Sequence, residues 1–254
     1  MLLSQSYIII RTTILITVVK RKHINARTDY IKVCPRDHEN LPECIKNSIT
    51  ELMPKLKVGI PELNIPPLEP LDLGRISFIS GSSAANLATN LTDVTVWGVS
   101  NFHVVYLSVK NTKKGKTFRF KVEIPQIYAE GHYEINTKLL FIDLKGEGKF
   151  KTNVSDYHFD CTLKGNVIND DDGLNHLLFD KLGCKLNIGE KKILLEKLFA
   201  DNPVLEAATK GIIDDNTEAL FHEIRPGLQD AVSEKFTSIA NQITKAFTYE
   251  ELFP

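Results

Sequence analysis

The C-terminal part of the chain carries an apolar stripe that limits the shape of any fold the sequence can adopt. An unbroken helix from Leu205 to Phe247 would be roughly 63 Å long, whereas a compact sphere of 254 residues has a diameter of about 47 Å. Either Gly211 or Pro226-Gly227 therefore divides the stripe into ordinary helices, or the molecule is elongated and its sheet winds around one long helix. The stripe follows the helical steps of three, four or their sums, through Leu205, Ile212, Leu220, Ile224, Leu228, Val232, Phe236, Ile239, Ile243 and Phe247.

The middle of the chain, from Leu71 to Ile188, has the pattern of long strands joined by turns. Phe118, Phe120, Val122 and Ile124 alternate with charged residues, which predicts a strand with one buried and one solvated face. The stretch from Leu91 to Val109 is apolar on both faces, which predicts a central strand region covered on both sides.

A short amphipathic helix is predicted before the strands. Its apolar positions begin after Glu39 and recur at helical spacing until Gly59, and Pro54 is expected to kink or shorten it. The following segment, Pro61 to Pro70, contains four prolines. Since proline cannot donate to a ladder of hydrogen bonds, this segment is predicted to be an edge or a linker.

The N-terminus indicates secretion. Residues Tyr7 to Val19 are mostly apolar, but the run is too short to span a bilayer, which takes about 20 apolar residues. We therefore predict that residues 1–28 form an irregular leader, that 29–254 form a single domain, and that the protein is extracellular with no stable membrane span.

Four cysteines agree with an oxidising compartment, because an even number permits two bridges in one of three connectivities. Cys34 and Cys44 are the easiest pair to close, in which case Cys161 and Cys184 would form the second bridge. Cys161 and Cys184 both fall on the apolar side of alternating stretches. Free buried thiols are the alternative.

Charge and motifs exclude several classes of function. The net charge of −1 leaves no broad basic surface for nucleic acid, and the histidines and cysteines lack the short spacing of a zinc site, so neither metal nor cofactor is expected. Gly81-Ser82-Ser83-Ala84-Ala85 keeps only part of the nucleophile elbow found in hydrolases. An esterase is therefore the least favoured function.

The remaining features of the sequence indicate that the chain buries a large apolar interior. With 43% hydrophobic residues, the chain can enclose an apolar cavity between helix and sheet, in which a few phenolic hydroxyls orient an oily ligand. A signalling or interaction protein with a filled core is the alternative, and any receptor is unknown. The candidate ligand-binding residues are Trp97, Phe102, Tyr106, Tyr128, Tyr133, Phe141, Leu220 and Ile224.

Several segments, in order, resemble the insect haemolymph juvenile-hormone-binding and takeout-like family from about Ile31 to Pro254. After Cys34 and Cys44 comes Gly59-Ile60-Pro61-Glu62-Leu63-Asn64-Ile65-Pro66-Pro67-Leu68-Glu69-Pro70, then Val96-Trp97-Gly98-Val99-Ser100-Asn101-Phe102, and Ile124-Pro125 with Gly131 and Tyr133. The later segments are Gly146-Glu147-Gly148-Lys149-Phe150, Leu198-Phe199 with Asn202, Ile224-Arg225-Pro226 and Leu252-Phe253-Pro254.

The resemblance implies an α+β fold in which a long C-terminal helix is wrapped by a strongly curved antiparallel sheet, an elongated super-roll of the tubular lipid-binding type. It implies that Pro226 bends the helix without ending it, that Cys34 pairs with Cys44, and that Cys161 and Cys184 are the candidates for a second bridge. It also implies a secreted, non-catalytic carrier that holds a small hydrophobic ligand, such as a terpenoid hormone or a fatty acid, in an apolar tunnel.

Overall fold

A computed structural model describes residues 31–82, 85–139, 142–169, 173–199 and 203–254. The predicted leader, Ser83 and Phe141 lie outside these residues. The helices are α1 (Leu41–Val58), α2 (Pro203–Lys245) and α3 (Tyr249–Leu252). The strands are β1 (Leu71–Ser82), β2 (Ala85–Trp97), β3 (His103–Asn111), β4 (Gly115–Leu139), β5 (Ile142–Asn169), β6 (Asn175–Phe179), β7 (Gly183–Ile188) and β8 (Lys191–Leu195).

Helix α2 is unbroken over 43 residues, so the elongated alternative is correct. At 1.5 Å per residue the helix is about 63 Å long. Neither Gly211 nor Pro226 ends it. Gly227 has a role in packing, because a Cβ atom at this position would collide with the ring of Phe78 on β1. The glycine next to the proline thus lets the sheet approach the helix backbone closely.

The eight strands form one antiparallel sheet in which β4 and β5 pair along almost their whole length. Strands β2 and β3 pair with successive parts of β4, and β6, β7 and β8 each pair with a different part of β5. The sheet curls against α2, and one large cluster of buried apolar side chains from both lies between them. The predicted α+β fold, a long helix in a curved antiparallel sheet, is confirmed.

Helix α1 continues four residues past Pro54, so the expected shortening was wrong. The proline-rich segment that follows is a connection, as predicted, but it is packed. Its side chains Leu63, Ile65 and Leu68 are buried in the core. The Glu69 carboxylate accepts hydrogen bonds from the Gly98 amide at 2.8 Å and the Ser100 hydroxyl at 3.1 Å, which ties this segment to the turn between β2 and β3.

The prediction that Leu91 to Val109 is covered on both sides was wrong. A 3-10 turn at Val99–Asn101 divides the stretch into two strands, and the register of β3 shifts between Val104 and Tyr106. Val105 and Tyr106 are consecutive and both about half exposed, which is the signature of a β-bulge. A stretch that looks apolar on both faces can thus arise where a turn or a bulge changes which residues face inward. No second layer is needed to cover the sheet.

Both predicted disulfides are present, Cys34–Cys44 and Cys161–Cys184. Cys161 and Cys184 lie directly opposite each other on β5 and β7, facing the core. The alternative expectation, that the cysteines are free buried thiols, is therefore wrong.

Candidate functional site

An apolar chamber lies between α1, the sheet and the C-terminal half of α2. We call it the α1 chamber, and its volume is about 350 Å³, within the range of roughly 300–1,000 Å³ typical of ligand sites. Helix α1 contributes Ile45, Ile49, Leu52 and Leu56; the sheet contributes Val104, Leu107, Phe118, Phe120, Val122, Ile124, Phe159, Cys161, Leu163, Leu177, Phe179 and Cys184; helix α2 contributes Val232, Phe236, Ile239, Ala240, Ile243 and Thr244.

The polar side chains of this lining are engaged within the protein. The Ser48 hydroxyl donates to the backbone oxygen of Lys32 at 2.6 Å, and the Thr244 hydroxyl donates to that of Ala240 at 3.1 Å. The Lys32 ammonium forms an ion pair with Glu51 at 2.8 Å. What faces the empty volume is therefore mainly hydrocarbon, aromatic rings and the Cys161–Cys184 bridge.

A second, smaller apolar chamber continues along the middle of α2, from Leu220 to Phe236. We call it the β1 chamber because Leu71, Leu73, Ile76 and Phe78 of β1 line it, and its volume is about 140 Å³. Four side chains line both chambers and form the partition between them: Ile124, Phe159, Val232 and Phe236. The two chambers therefore lie end to end, separated by side chains alone.

The β1 chamber contains the hydroxyls that could orient a ligand. Thr89 is buried, and its Oγ1 has no hydrogen-bond partner among the residues described. Burial raises the pKa of the Tyr157 and Tyr133 phenols, so both stay neutral. Tyr133 is already committed, because its hydroxyl donates to the backbone oxygen of Glu196 at 2.6 Å. A ligand hydrogen bond is thus best supplied by Thr89.

We predict that Tyr133→Phe lowers the free energy of unfolding by about 1 kcal/mol, because the Glu196 carbonyl loses its buried donor. Ligand affinity should stay within about twofold of wild type, since the hydroxyl is not directed at a ligand. Urea denaturation and probe titration of the same samples measure both. A large loss of affinity at unchanged stability would instead place this hydroxyl on the ligand.

The structure brings together only part of the predicted ligand-binding set. Phe102 lines the α1 chamber, and Tyr133, Leu220 and Ile224 line the β1 chamber. Trp97, Tyr106 and Tyr128 belong to the lining of neither chamber. Phe141 cannot be placed, because it lies outside the described residues.

A change of strand phase explains the misplaced aromatics. Even-numbered residues of β4 face inward up to Ile124, but Ile127 and Ala129 face inward after Pro125, where pairing with β5 is interrupted. Tyr128 therefore points outward, where its ring lies 5.4 Å from that of Trp97. The bulge at Val105 turns Tyr106 outward in the same way.

Sequence reasoning missed the residues that shape the partition and the unpartnered hydroxyl. Phe159 and Phe236 were visible as members of a strand pattern and a helical stripe, but they lie far apart in the sequence, and only the curl of the sheet brings them together. Nothing in the sequence distinguishes Thr89 from other threonines of β2, because its isolation depends on the packing around it.

The sequence comparison decides the family. The sequence profile of the family described as haemolymph juvenile hormone binding protein (JHBP) matches residues 12–254. The chain belongs to this family. The family resemblance predicted from the sequence is therefore confirmed.

Individual relatives are distant. The chain is 23% identical over 229 residues to the circadian clock-controlled protein daywake of Drosophila melanogaster, covering 88% of this chain and 86% of that protein. The daywake protein of Drosophila yakuba matches to the same extent. The crystal structure of Takeout 1 from Epiphyas postvittana superposes with a TM-score of 0.74 at 17% identity, covering 88% of this chain and 99% of that one. This likeness shows a shared fold.

Two further findings concern membranes and metals. Among the described helices, none combines the length and apolar character needed to cross a bilayer. Within the same residues, no three His, Cys, Asp or Glu side chains are grouped as metal ligands would be.

Proposed function

We propose that the protein is a secreted, non-catalytic carrier of a small hydrophobic ligand, such as a terpenoid hormone or a fatty-acid-like compound. The observation that carries the proposal is the α1 chamber, an apolar cavity of about 350 Å³ between helix and sheet. Natural cores leave few voids larger than a water molecule, so a chamber of this size needs an occupant or a function.

The chemistry of the lining supports an oily ligand. Burying about 300 Å² of apolar ligand surface contributes about 7 kcal/mol before the costs of ordering. The hydroxyl of Thr89 offers one hydrogen bond at the far end, in the β1 chamber. A ligand with a long apolar body and few polar groups fits this distribution better than a polar metabolite does.

Family membership supports both the ligand class and the location. The family takes its description from a haemolymph protein that binds juvenile hormone, and haemolymph is an extracellular fluid. The two disulfides agree with an oxidising compartment. The alternative, a signalling protein with a filled core, would not require a chamber of this size.

The test is uptake and displacement of a neutral fluorescent probe. Purified protein should bind N-phenyl-1-naphthylamine saturably, and a C15 terpenoid ester or dodecanol should displace it with a stoichiometry near one. Native mass spectrometry should show the complex as an added mass. Heat-denatured protein is the control. Failure of the folded protein to bind the probe, terpenoid or alcohol would contradict the carrier function.

A further inference from the structure

A buried lysine lies at the end of a row of β4 residues that line the α1 chamber. Lys116 is only 2% exposed, yet it lies on β4 in the same inward-facing row as Phe118, Phe120 and Val122, which line the chamber. Residues two apart on a strand share a face. The row of apolar side chains therefore ends in an ammonium group.

The charge of Lys116 is poorly compensated. Its Nζ donates to the amide oxygen of Asn111 at 2.7 Å and lies 4.8 Å from the ring centre of Phe253. Neither partner carries a negative charge. Burial and the neighbouring Arg36 guanidinium lower the pKa of Lys116, as expected where a positive charge is unfavourable.

The surroundings of Lys116 form a pocket with a strong positive bias. We call it the basic pocket; it has a volume of about 810 Å³ and is lined by Arg36, Lys113, Lys114 and Lys116, with Asn111 and Tyr249 among its neutral residues. No carboxylate belongs to the lining. None of the ion pairs between described residues involves these four cations.

Three carboxylates lie near the pocket in the sequence or in the hydrogen-bond network, but none of them belongs to its lining: Asp37, Asp180 and Glu250. Asp180 accepts a hydrogen bond from Asn166, and Glu250 accepts one from Asn175. The Arg36 guanidinium is held by the backbone oxygen of Phe253 at 3.1 Å and lies over the Tyr249 ring. The lining of the pocket thus carries four cations and no carboxylate side chain.

Phe253 connects this pocket to the ligand site. Its ring lies against the Lys116 ammonium, and the same residue lines the α1 chamber. An anionic group at Lys116 would therefore be separated by one side chain from an apolar volume that fits a hydrocarbon chain.

From this juxtaposition we infer that the basic pocket binds the anionic headgroup, a carboxylate or a phosphate, of an amphiphile whose chain enters the α1 chamber past Phe253. This inference rests on the proposed carrier function and narrows its ligand class to anionic amphiphiles. Hydrogen bonds between a charged donor and a charged acceptor are about twice as strong as neutral ones, which gives the headgroup its selectivity.

The test compares dodecanoate with dodecanol as competitors for the neutral probe at pH 7.5. Wild-type protein should prefer dodecanoate by about tenfold or more. Lys116→Met should remove the preference by weakening dodecanoate binding to the level of dodecanol. Lys210→Gln, which removes an exposed lysine near the N-terminal end of α2, is the matched control and should keep the preference.

Further measurements distinguish binding of an amphiphile from binding of a free anion, and a second variant covers the case in which Lys116→Met does not fold. Butyrate and inorganic phosphate should bind far more weakly than dodecanoate; equal binding would indicate a site for free anions and overturn the inference. The double variant Lys113→Gln, Lys114→Gln changes only exposed side chains and should also reduce the preference. It tests the inference even if Lys116→Met does not fold.

The outcomes distinguish the inference from the function on which it rests. Equal affinity of wild-type protein for dodecanoate and dodecanol, or a preference that survives loss of these lysines, overturns the inference and leaves the carrier function standing. If dodecanol also fails to bind, the carrier function itself is contradicted and the inference falls with it.

Discussion

Ala240→Trp should abolish uptake of the neutral probe, with a loss of affinity of at least about 100-fold, equivalent to about 2.7 kcal/mol. Ala240 lines the α1 chamber from helix α2, one turn after Phe236. An indole at this position would occupy the volume that the ligand needs. Stability should be unchanged or raised, because filling an apolar void replaces lost contacts.

The control is Ala207→Trp, which introduces the same side chain at an exposed position of the same helix. It should bind the probe as wild type does. Circular dichroism and thermal melting confirm that both variants fold. Full probe binding by a folded Ala240→Trp protein would show that the ligand lies elsewhere.

Gly148→Ala should lower the free energy of unfolding by about 3 kcal/mol, which corresponds to a decrease in Tm of roughly 6–12 °C for a protein of this size. The segment after β8 crosses directly over Gly148, and a Cβ atom there would collide with the backbone oxygen of Glu196. Backbone cannot rotate away as a side chain can, so the crossing segment must shift.

That segment is held from three sides, which is why a shift is costly. The Glu196 amide donates to the Lys149 carbonyl, and the Glu206 carboxylate of α2 accepts from the amides of Lys197 and Phe199. Leu198 is fully buried. A shift of this segment would therefore break all of these contacts at once.

Gly211→Ala provides the opposite control. Nothing lies within 4 Å of a Cβ atom at this position of α2, so alanine should raise the free energy of unfolding by about 0.5–1 kcal/mol through its better helix propensity. Chemical denaturation of both variants measures the contrast. Equal stability of Gly148→Ala and wild type would show that the crossing is loosely packed.

The overall fold could be predicted from the family resemblance, whereas the residues alone left a divided helix and an elongated molecule as alternatives. The stripe on α2 is too long for a sphere, and an unbroken helix leaves elongation as the solution. The pairing of Cys161 with Cys184 was expected because Cys34 and Cys44 are the easier pair to close, and the alternation of both strands agrees with it. Family segments that looked unrelated, such as those around Gly148 and Leu198, meet where one strand is crossed by another segment.

The site could be predicted only in part, because single irregularities reverse which residues face inward. The alternation from Phe118 to Ile124 is correct, and one more step back would have reached Lys116. Beyond Ile124, the interruption at Pro125 reverses the phase, so Tyr128 was assigned to the wrong face. A β-bulge of one residue leaves no clear mark in composition, yet it turns every later side chain over.

The partition between the two chambers has a consequence for how they are filled. Ile124, Phe159, Val232 and Phe236 are walls of both volumes, so an occupant that turns one of these side chains alters the neighbouring compartment at the same time. Thermodynamic reciprocity then applies: the factor by which a first guest changes the affinity for a second equals the factor by which the second changes the affinity for the first. Cooperative loading, positive or negative, therefore requires no movement of the backbone.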